Sequence, residues 1–277
     1  MTLASATAAS QATLPKVTVV TVVLNAVDLI ERTLQSVINQ DYPNLEYIVV
    51  DGLSTDGTLD VVAKYRDSIT TLVSGKDGGI YQAMNKGTEL ATGEWILFQN
   101  AGDFFVDNSV ISRCFQSCDW KKCDVIYGDS IYVYEDYRWV ERAVPVATME
   151  DGLGFCHQSC FVRAALQKEY GLDATERVAA DYDLGLRLLK AGKVFQHVDV
   201  IMTEFLTGGY SALAPQDTVR LRHRVYTKYF PRSKLVMYAK LFRLAVKQGL
   251  KAVFPGNAWA ALKRLRDRNR ALPTAGR

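Results

Sequence analysis

The sequence predicts an α/β protein with a mixed, mainly parallel sheet flanked by helices. Three observations predict it. Short apolar runs alternate with helical periodicity through the first hundred residues. Such a rhythm is that of β-α-β crossovers. The runs are apolar throughout rather than alternating, as in strands covered on both faces. And a polar or acidic residue stands where each run stops, the edge at which open α/β sheets collect ligands.

The elements follow in order. Lys16 to Leu24 (KVTVVTVVL) is a β-branched run and a first buried strand. Asp28 to Asn39 has helical spacing, with Leu29, Ile30, Leu34, Val37 and Ile38 on one face. Leu45 to Val50 is a second strand that ends on Asp51, and Gly57 to Tyr65 is a helix. Ile69 to Val73 reads as a strand, Gly79 to Ala91 as a helix and Glu94 to Phe98 as a further strand. The second half is less regular. Asp124 to Tyr127, Ser130 to Tyr134 and Cys156 to Val162 read as strands, with Tyr137 to Trp139 closing a hairpin. Asp181 to Lys190 is an amphipathic helix stopped by Gly192, and Val194 to Val200 is a strand. Beyond Pro215 the pattern is helical to the end, with breaks near Pro231 and Pro255-Gly256.

Size and charge bound the function. A chain of 277 residues accommodates one sizeable α/β domain and an extension. Formal net charge is +3, but 16 Lys and Arg and one acidic residue, Asp267, lie from Thr218 to Arg277. The body of the chain is therefore acidic and its tail strongly basic. Residues 1–15, rich in Ala, Ser and Thr, read as a disordered leader. Five cysteines without an export signal favour reduced thiols over disulfides, and their spacing fits no common zinc knuckle. The first strand is followed by Asn25-Ala26-Val27-Asp28 instead of the glycines of a dinucleotide site. No GxxxxGK[ST], GxSxG or HExxH pattern is present.

The strand-end residues suit a ligand with hydroxyls and a metal-held diphosphate. Asp51 opens the turn DGLSTDGT, where it can accept hydrogen bonds from a ribose or a base. Asp56 fits helix capping and ligand contact equally. Asp77 precedes Gly78-Gly79 at a helix start, where free amides favour negative groups. Within that helix Ile80, Ala83, Met84 and Gly87 share a face suited to packing on the sheet, and Asn85 is a poor helix former that hints at a specific hydrogen bond. After EWILF comes Gln99-Asn100-Ala101-Gly102-Asp103, where a carboxylate can hold Mg2+ or Mn2+ beside phosphates.

These motifs stand in a telling sequence. A buried strand ends in Asn, then come VVDG-x-S-x-DGT, a GG-x-x-x-A-x-N-x-G helix, an N-A-G-D variant of a D-x-D motif and the acidic helix start A-A-D-Y-D-L-x-L-R. Over residues 16 to 210 the chain resembles the inverting family 2 glycosyltransferases. The resemblance implies the GT-A fold, a Rossmann-like nucleotide-diphospho-sugar transferase architecture. It implies that Asp51 binds the nucleotide with Val22, Leu24 and Asn25 beside it, that Asp77 closes the nucleoside pocket and that Asn100 and Asp103 occupy the D-x-D region. Asp103 would ligate Mn2+ or Mg2+. Asp181 matches the catalytic base, and His157, in GFCHQSCFVR, faces donor and acceptor or fills a polar gap in the core. Two departures stand out: Leu24 replaces the usual Tyr, and Asn100 and Gly102 replace the aspartates of D-x-D.

The expected activity is transfer of a sugar from a nucleotide-diphosphate donor, UDP-sugar by resemblance, to a glycan or lipid-linked acceptor in bacterial polysaccharide biosynthesis. A non-catalytic sugar-nucleotide or glycan binder on the same scaffold is the alternative. Asp183 lies four residues before Arg187 and is expected to pair with it. The domain division is 16–212 for the catalytic domain and 213–277 for a basic helical extension. Within it, Ser233 to Phe254 mixes apolar residues with Lys234, Lys240, Arg243, Lys247 and Lys251, and Lys263 to Arg270 adds more charge. This composition suits the surface of an anionic membrane or a helix packed on the catalytic domain. No nucleic-acid-binding module is recognisable. The expected location is cytoplasmic, peripheral on the inner face of the plasma membrane.

Overall fold

The computed structural model describes residues 14–134, 137–176, 178–208, 215–253 and 271–272. Four strands run parallel: β1 (Val17–Val23), β2 (Leu45–Asp51), β3 (Thr71–Ser74) and β4 (Trp95–Phe98). Helices α1 (Val27–Ile38), α2 (Thr58–Ala63) and α3 (Ile80–Leu90) connect them. The chain continues through β5 (Phe104–Phe105), α4 (Val110–Gln116), β6 (Val125–Val133), β7 (Arg138–Glu141), β8 (Cys160–Arg163) and α5 (Ala164–Tyr170). It closes with α6 (Ala180–Lys190), β9 (Phe195–Leu206), α7 (Pro215–Thr227), α8 (Lys234–Val253) and β10 (Ala271–Leu272). The sheet order is β10-β7-β6-β8-β4-β1-β2-β3, and β9 pairs with β6 and β5. Antiparallel β8 joins the parallel strands to the β6–β7–β9 portion.

The unbroken apolar strands are explained by two covering layers. Val17, Val19 and Val23 face α1 and α4, where Ile30, Leu34, Val37, Ile111 and Phe115 pack. Val20 and Val22 face the opposite layer, against Met84 of α3 and Leu184 and Leu188 of α6. Ala83, Met84 and Gly87 do pack on the sheet, and a Cβ on Gly87 would come within 2.4 Å of Val20 Cγ1. Only a glycine lets α3 lie that close. The mid-helix Asn85 clamps Leu172, its amide donating to the carbonyl at 2.8 Å and its oxygen accepting from the N–H at 2.9 Å.

Several expectations change. The two strands expected at 124–127 and 130–134 are one strand, β6, with the shift absorbed by an irregular register against β9. His157–Ser159 forms a tight 3-10 turn, so the strand expected from Cys156 starts at Cys160. Near the C terminus Ala271–Leu272 pairs with β7 as a strand, where helix was expected. The five cysteines are free thiols, and no group of three His, Cys, Asp or Glu among the described residues could hold a metal. The Asp183–Arg187 pair forms at 2.8 Å.

The extension is not a separate body at its start. Val225 of α7 is buried against Tyr182 and Leu186 of α6. Lys228 and Tyr229 reach the buried Asp183, and Arg224 reaches the buried Glu176. The expected leader, Pro255-Gly256 and the basic run from Lys263 to Arg270 lie outside the described residues, save that Leu14 and Pro15 are described. The Pro15 carbonyl accepts from the Tyr42 hydroxyl at 2.7 Å.

Candidate active site

Because β1 to β4 are parallel, their carboxyl ends share one edge of the sheet, and Asn25, Asp51, Asp77 and Asn100 to Asp103 all come to it. Antiparallel β8 starts at the same edge, since Trp95 pairs with Arg163 and Ile96 with Val162. The 157–159 turn therefore sits beside the end of β4, where His157 stacks on Phe98 at 5.4 Å between ring centroids.

The loop after β2 is sewn to the start of α1. Three successive amides leading into that helix are each taken by a loop side chain. Asn25 N–H donates to Ser54 Oγ at 2.8 Å, Ala26 N–H to Thr58 Oγ1 at 2.9 Å and Val27 N–H to Asp56 Oδ2 at 3.0 Å. Asn25 Oδ1 accepts from Thr55 N–H at 2.8 Å. The Asn25 backbone takes φ +48°, a left-handed conformation that Asn tolerates. Asp56 also accepts from the N–H of Thr58 at 3.0 Å, so it ties the first residues of α1 and α2 together. Asp51 is fully buried, and its carboxylate accepts from Leu53 N–H at 3.1 Å, Ser54 N–H at 3.2 Å and Ser74 Oγ at 2.6 Å. Val22 lies in the core, and its carbonyl accepts from Ala101 N–H at 3.2 Å. Leu24 is 59% exposed, standing over Gly52.

The other positions carry unused hydrogen-bonding capacity. Asp77 Oδ1 lies 3.5 Å from Lys86 Nζ, whereas its Oδ2 is buried without a hydrogen-bond partner. Asn100 Oδ1, Gln99 Oε1 and His157 Nε2 are also buried without one. Asn100 to Asp103 form a tight turn, closed by Asp103 N–H to the Asn100 carbonyl at 2.9 Å, with Gly102 at φ +100°. The Thr33 hydroxyl pins it, donating to Asp103 O at 2.8 Å and accepting from Gly102 N–H at 3.0 Å. Asp103 is buried, and Oδ1 accepts from Leu206 N–H at 3.1 Å. Burial pushes its carboxyl up to about 7, against the opposing hydrogen bonds from Leu206 and Gln158.

Asp103 and Asn100 together suit a hard divalent cation in part. They offer a carboxylate and an unpartnered amide oxygen, the donor types that Mn2+ and Mg2+ take, and leave the remaining positions to phosphate oxygens and water.

Asp181 stands in the first turn of α6 with Oδ1 accepting from Tyr182 N–H at 2.8 Å. It lines a cavity with His157, Phe155, Cys160 and Leu184. Burial pushes the imidazole of His157 down, and the Asp181 charge pulls it back up. Cys156 feels both the Asp103 and the Asp181 charge, so the 156–159 turn connects the two carboxylates. Gln158 contributes here too: its side chain bonds the Asp103 carboxyl, and its oxygen accepts from the Cys156 thiol at 3.0 Å. Thr33 and Gln99 belong to this site without any signal in the sequence, since each is one polar residue inside an otherwise ordinary element.

A parallel sheet with acidic and amide groups on its carboxyl edge, continued by an antiparallel portion, is the architecture of the GT-A glycosyltransferases. Solved structures share it. TarS from S. aureus in complex with UDP-GlcNAc superposes with a TM-score of 0.62 at 20% identity, over 80% of this chain and 69% of that one. The mannosyltransferase PcManGT from Pyrobaculum calidifontis, in complex with GDP-Man and Mn2+, gives 0.58 at 18% identity over 89% and 83%. Residues 18–164, more than half of the chain, match the Glycosyl transferase family 2 profile, and the chain belongs to that family. Among its relatives is a PGL/p-HBAD biosynthesis glycosyltransferase of Mycobacterium bovis (strain BCG / Pasteur 1173P2). It is 30% identical over 178 residues, 62% of this chain and 69% of the relative. Asp181 lies beyond the matched span of the profile.

Proposed function

We propose that this glycosyltransferase moves a sugar from a UDP-sugar to a glycan or lipid-linked acceptor with inversion, in bacterial glycoconjugate or polysaccharide assembly. The observation that carries this reading is the placement of Asp181 and His157 in one cavity, with His157 stacked on Phe98 just before the Asn100–Asp103 turn. In the proposed reaction the acceptor oxygen attacks the anomeric carbon, the bond to the diphosphate breaks, and Asp181 takes the acceptor proton. Asp181 is half-buried in the first turn of α6. A divalent cation, when bound, would neutralise charge on the departing diphosphate, with Asp103 and Asn100 holding it. Asp77, with its unpartnered oxygen, serves the nucleoside, and Asn25, Asp51, Val22 and Leu24 shape that end of the cleft. The UDP assignment is supported by the UDP-GlcNAc complex of TarS, and the biosynthetic setting by the name of the mycobacterial relative, a PGL/p-HBAD biosynthesis glycosyltransferase. Release of UDP from UDP-sugars in the presence of Mn2+ tests the reading. Binding without any turnover would favour a non-catalytic binder.

The tail supports a peripheral membrane location on the cytoplasmic side. Among the described residues no helix is long and apolar enough to cross a membrane. In α8, however, Leu235, Tyr238, Phe242 and Val246 recur at intervals of a helical turn and are 75%, 57%, 71% and 46% exposed. Exposed Lys234 and Arg243 accompany this stripe. A helix with an open apolar face and basic flanks suits an anionic bilayer interface. Flotation with anionic liposomes is expected, and replacing Leu235 and Phe242 by Ser is expected to abolish it.

A further inference from the structure

The strands β6, β7 and β9 place three aromatic rings on one face of the sheet, and two more stand where β6 and β7 meet their connecting turn. Register sets Tyr132 directly opposite Trp139 on one side and Phe205 on the other. Directly opposed residues project to the same face, so the three form a cross-strand row. Tyr132 and Phe205 touch, with centroids 5.1 Å apart. Just past the ends of β6 and β7, Tyr134 N–H donates to the Tyr137 carbonyl at 2.9 Å, and the two rings stack at 4.5 Å with planes 11° apart.

The inner end of this row meets the candidate site. The Tyr132 hydroxyl is in hydrogen-bond reach of the Cys156 thiol, and Cys156 feels the charges of Asp103 and Asp181. The residue after Phe205, Leu206, donates its N–H to the Asp103 carboxylate. The outer end opens to solvent: Tyr134 is 38% exposed, and Tyr137, Trp139 and Phe205 are half-buried. The rings thus lie along the sheet from the strand end that bonds Asp103 to the β6–β7 turn.

We propose that this aromatic row is an acceptor subsite and that the acceptor portion it holds is a saccharide. The proposal rests on the transferase reading above and specifies its acceptor. The faces of aromatic rings are electronegative, and one face of a pyranose carries outward, positively polarised C–H groups, so the two stack while the sugar hydroxyls point to the rim. Polar partners stand at that rim. Tyrosine hydroxyls donate and accept, and Glu141, which accepts the Trp139 indole N–H at 2.7 Å, has a second oxygen. A nucleic-acid base would also stack, but such platforms are lined with cations. Here Arg138 alternates to the opposite face and pairs with Glu204.

The test labels the full chain with 5-fluorotryptophan and assigns the Trp139 line in 19F spectra through Trp139→Phe. With UDP and Mn2+ present, the protein is titrated with the methyl glycosides of glucose, galactose, mannose, rhamnose, N-acetylglucosamine and glucuronic acid at millimolar concentrations. A saturable shift of the Trp139 line with at least one glycoside is expected. Tyr134→Ala, at the exposed end, is expected to weaken that binding about tenfold, the loss of one stacking contact. The same variant is expected to leave hydrolysis of the donor unchanged. A Trp139 line that no glycoside moves, while donor hydrolysis proceeds, overturns the subsite and leaves the transferase reading intact. Movement only by a short-chain phosphatidylglycerol assigns the row to lipid and also overturns it. Absence of donor hydrolysis despite UDP binding removes the transferase reading and the acceptor subsite with it.

Discussion

The loop after β2 and the turn before β8 lie on the same edge of the sheet and are built on opposite terms. In the first, Asn25, Ser54, Asp56, Thr58 and Asp51 bond chiefly to one another and to nearby amides. In the second, His157 Nε2 and the neighbouring Asn100 Oδ1 and Gln99 Oε1 are buried with no partner. An unsatisfied buried polar group costs about 1–3 kcal/mol, which a fold bears most readily where a ligand supplies the missing bond. The comparison teaches that polar residues at strand ends divide into those that build the cleft and those left available within it. Asp77, with one buried oxygen that has no hydrogen-bond partner, belongs to the second kind.

The largest test of this division is Asp181→Asn. Loss of the proposed general base is expected to lower transfer by about 10²- to 10⁴-fold, with UDP affinity unchanged by calorimetry. Near-normal turnover would remove Asp181 from the role.

The opposite end of β2 carries a separate paired carboxylate, Glu46, which gives the next effect. Burial pushes Glu46 up, but hydrogen bonds from Lys16, Thr18 and Thr92 outweigh it and hold the carboxyl down at about 2. A depressed folded-state value means stability that is present above the unfolded carboxylate range and is lost as pH falls from about 4.5 toward 2. That contribution is on the order of 3 kcal/mol at neutral pH. In Glu46→Gln the acid limb of a stability–pH curve is expected to flatten over that window. An unchanged limb would show that the bonded carboxylate is not what stabilises this end of the sheet.

Asp103→Ala is expected to weaken UDP binding about ten- to a hundredfold in Mn2+ and hardly at all in chelator, the loss of one charge-assisted contact. Equal affinities in Mn2+ would end the metal assignment. The smallest effect is expected at Asp51. Asp51→Asn keeps the shape but supplies a donor where Leu53, Ser54 and Ser74 already donate, so stability should fall by about 1–2 kcal/mol in urea unfolding. A loss of UDP affinity without loss of stability would instead make Asp51 a direct ligand contact and blur the division.

Much of this was legible in the residues alone. The strands β1 to β4 and the helices α1, α3 and α6 stand close to where periodicity puts them, because a strand buried on both faces and a one-sided helix each leave a local pattern. The strand-end rule brought Asn25, Asp51, Asp77 and Asp103 to one edge. Some short elements escaped: β5 has two residues and α4 and α5 have seven each, whereas α2, with six, was legible from the DGLSTDGT turn that leads into it. The His157 turn escaped as well, since the apolar run Cys160 to Val162 reads as strand and nothing local marks Cys156 to Ser159 as lying outside it.

By itself, then, the sequence determined the sheet, its polar edge and the family motifs on it, since all of these are written in residue types at short spacing. Only the tertiary structure decided which polar groups the fold consumes and which it leaves open, and that aromatic side chains from three strands stand in one cross-strand row. The reason is physical. Hydrogen bonds such as Asn25 to Thr55, thirty residues apart, and cross-strand rows such as Phe205–Tyr132–Trp139 depend on register and on chain segments meeting in space, and no local pattern encodes either.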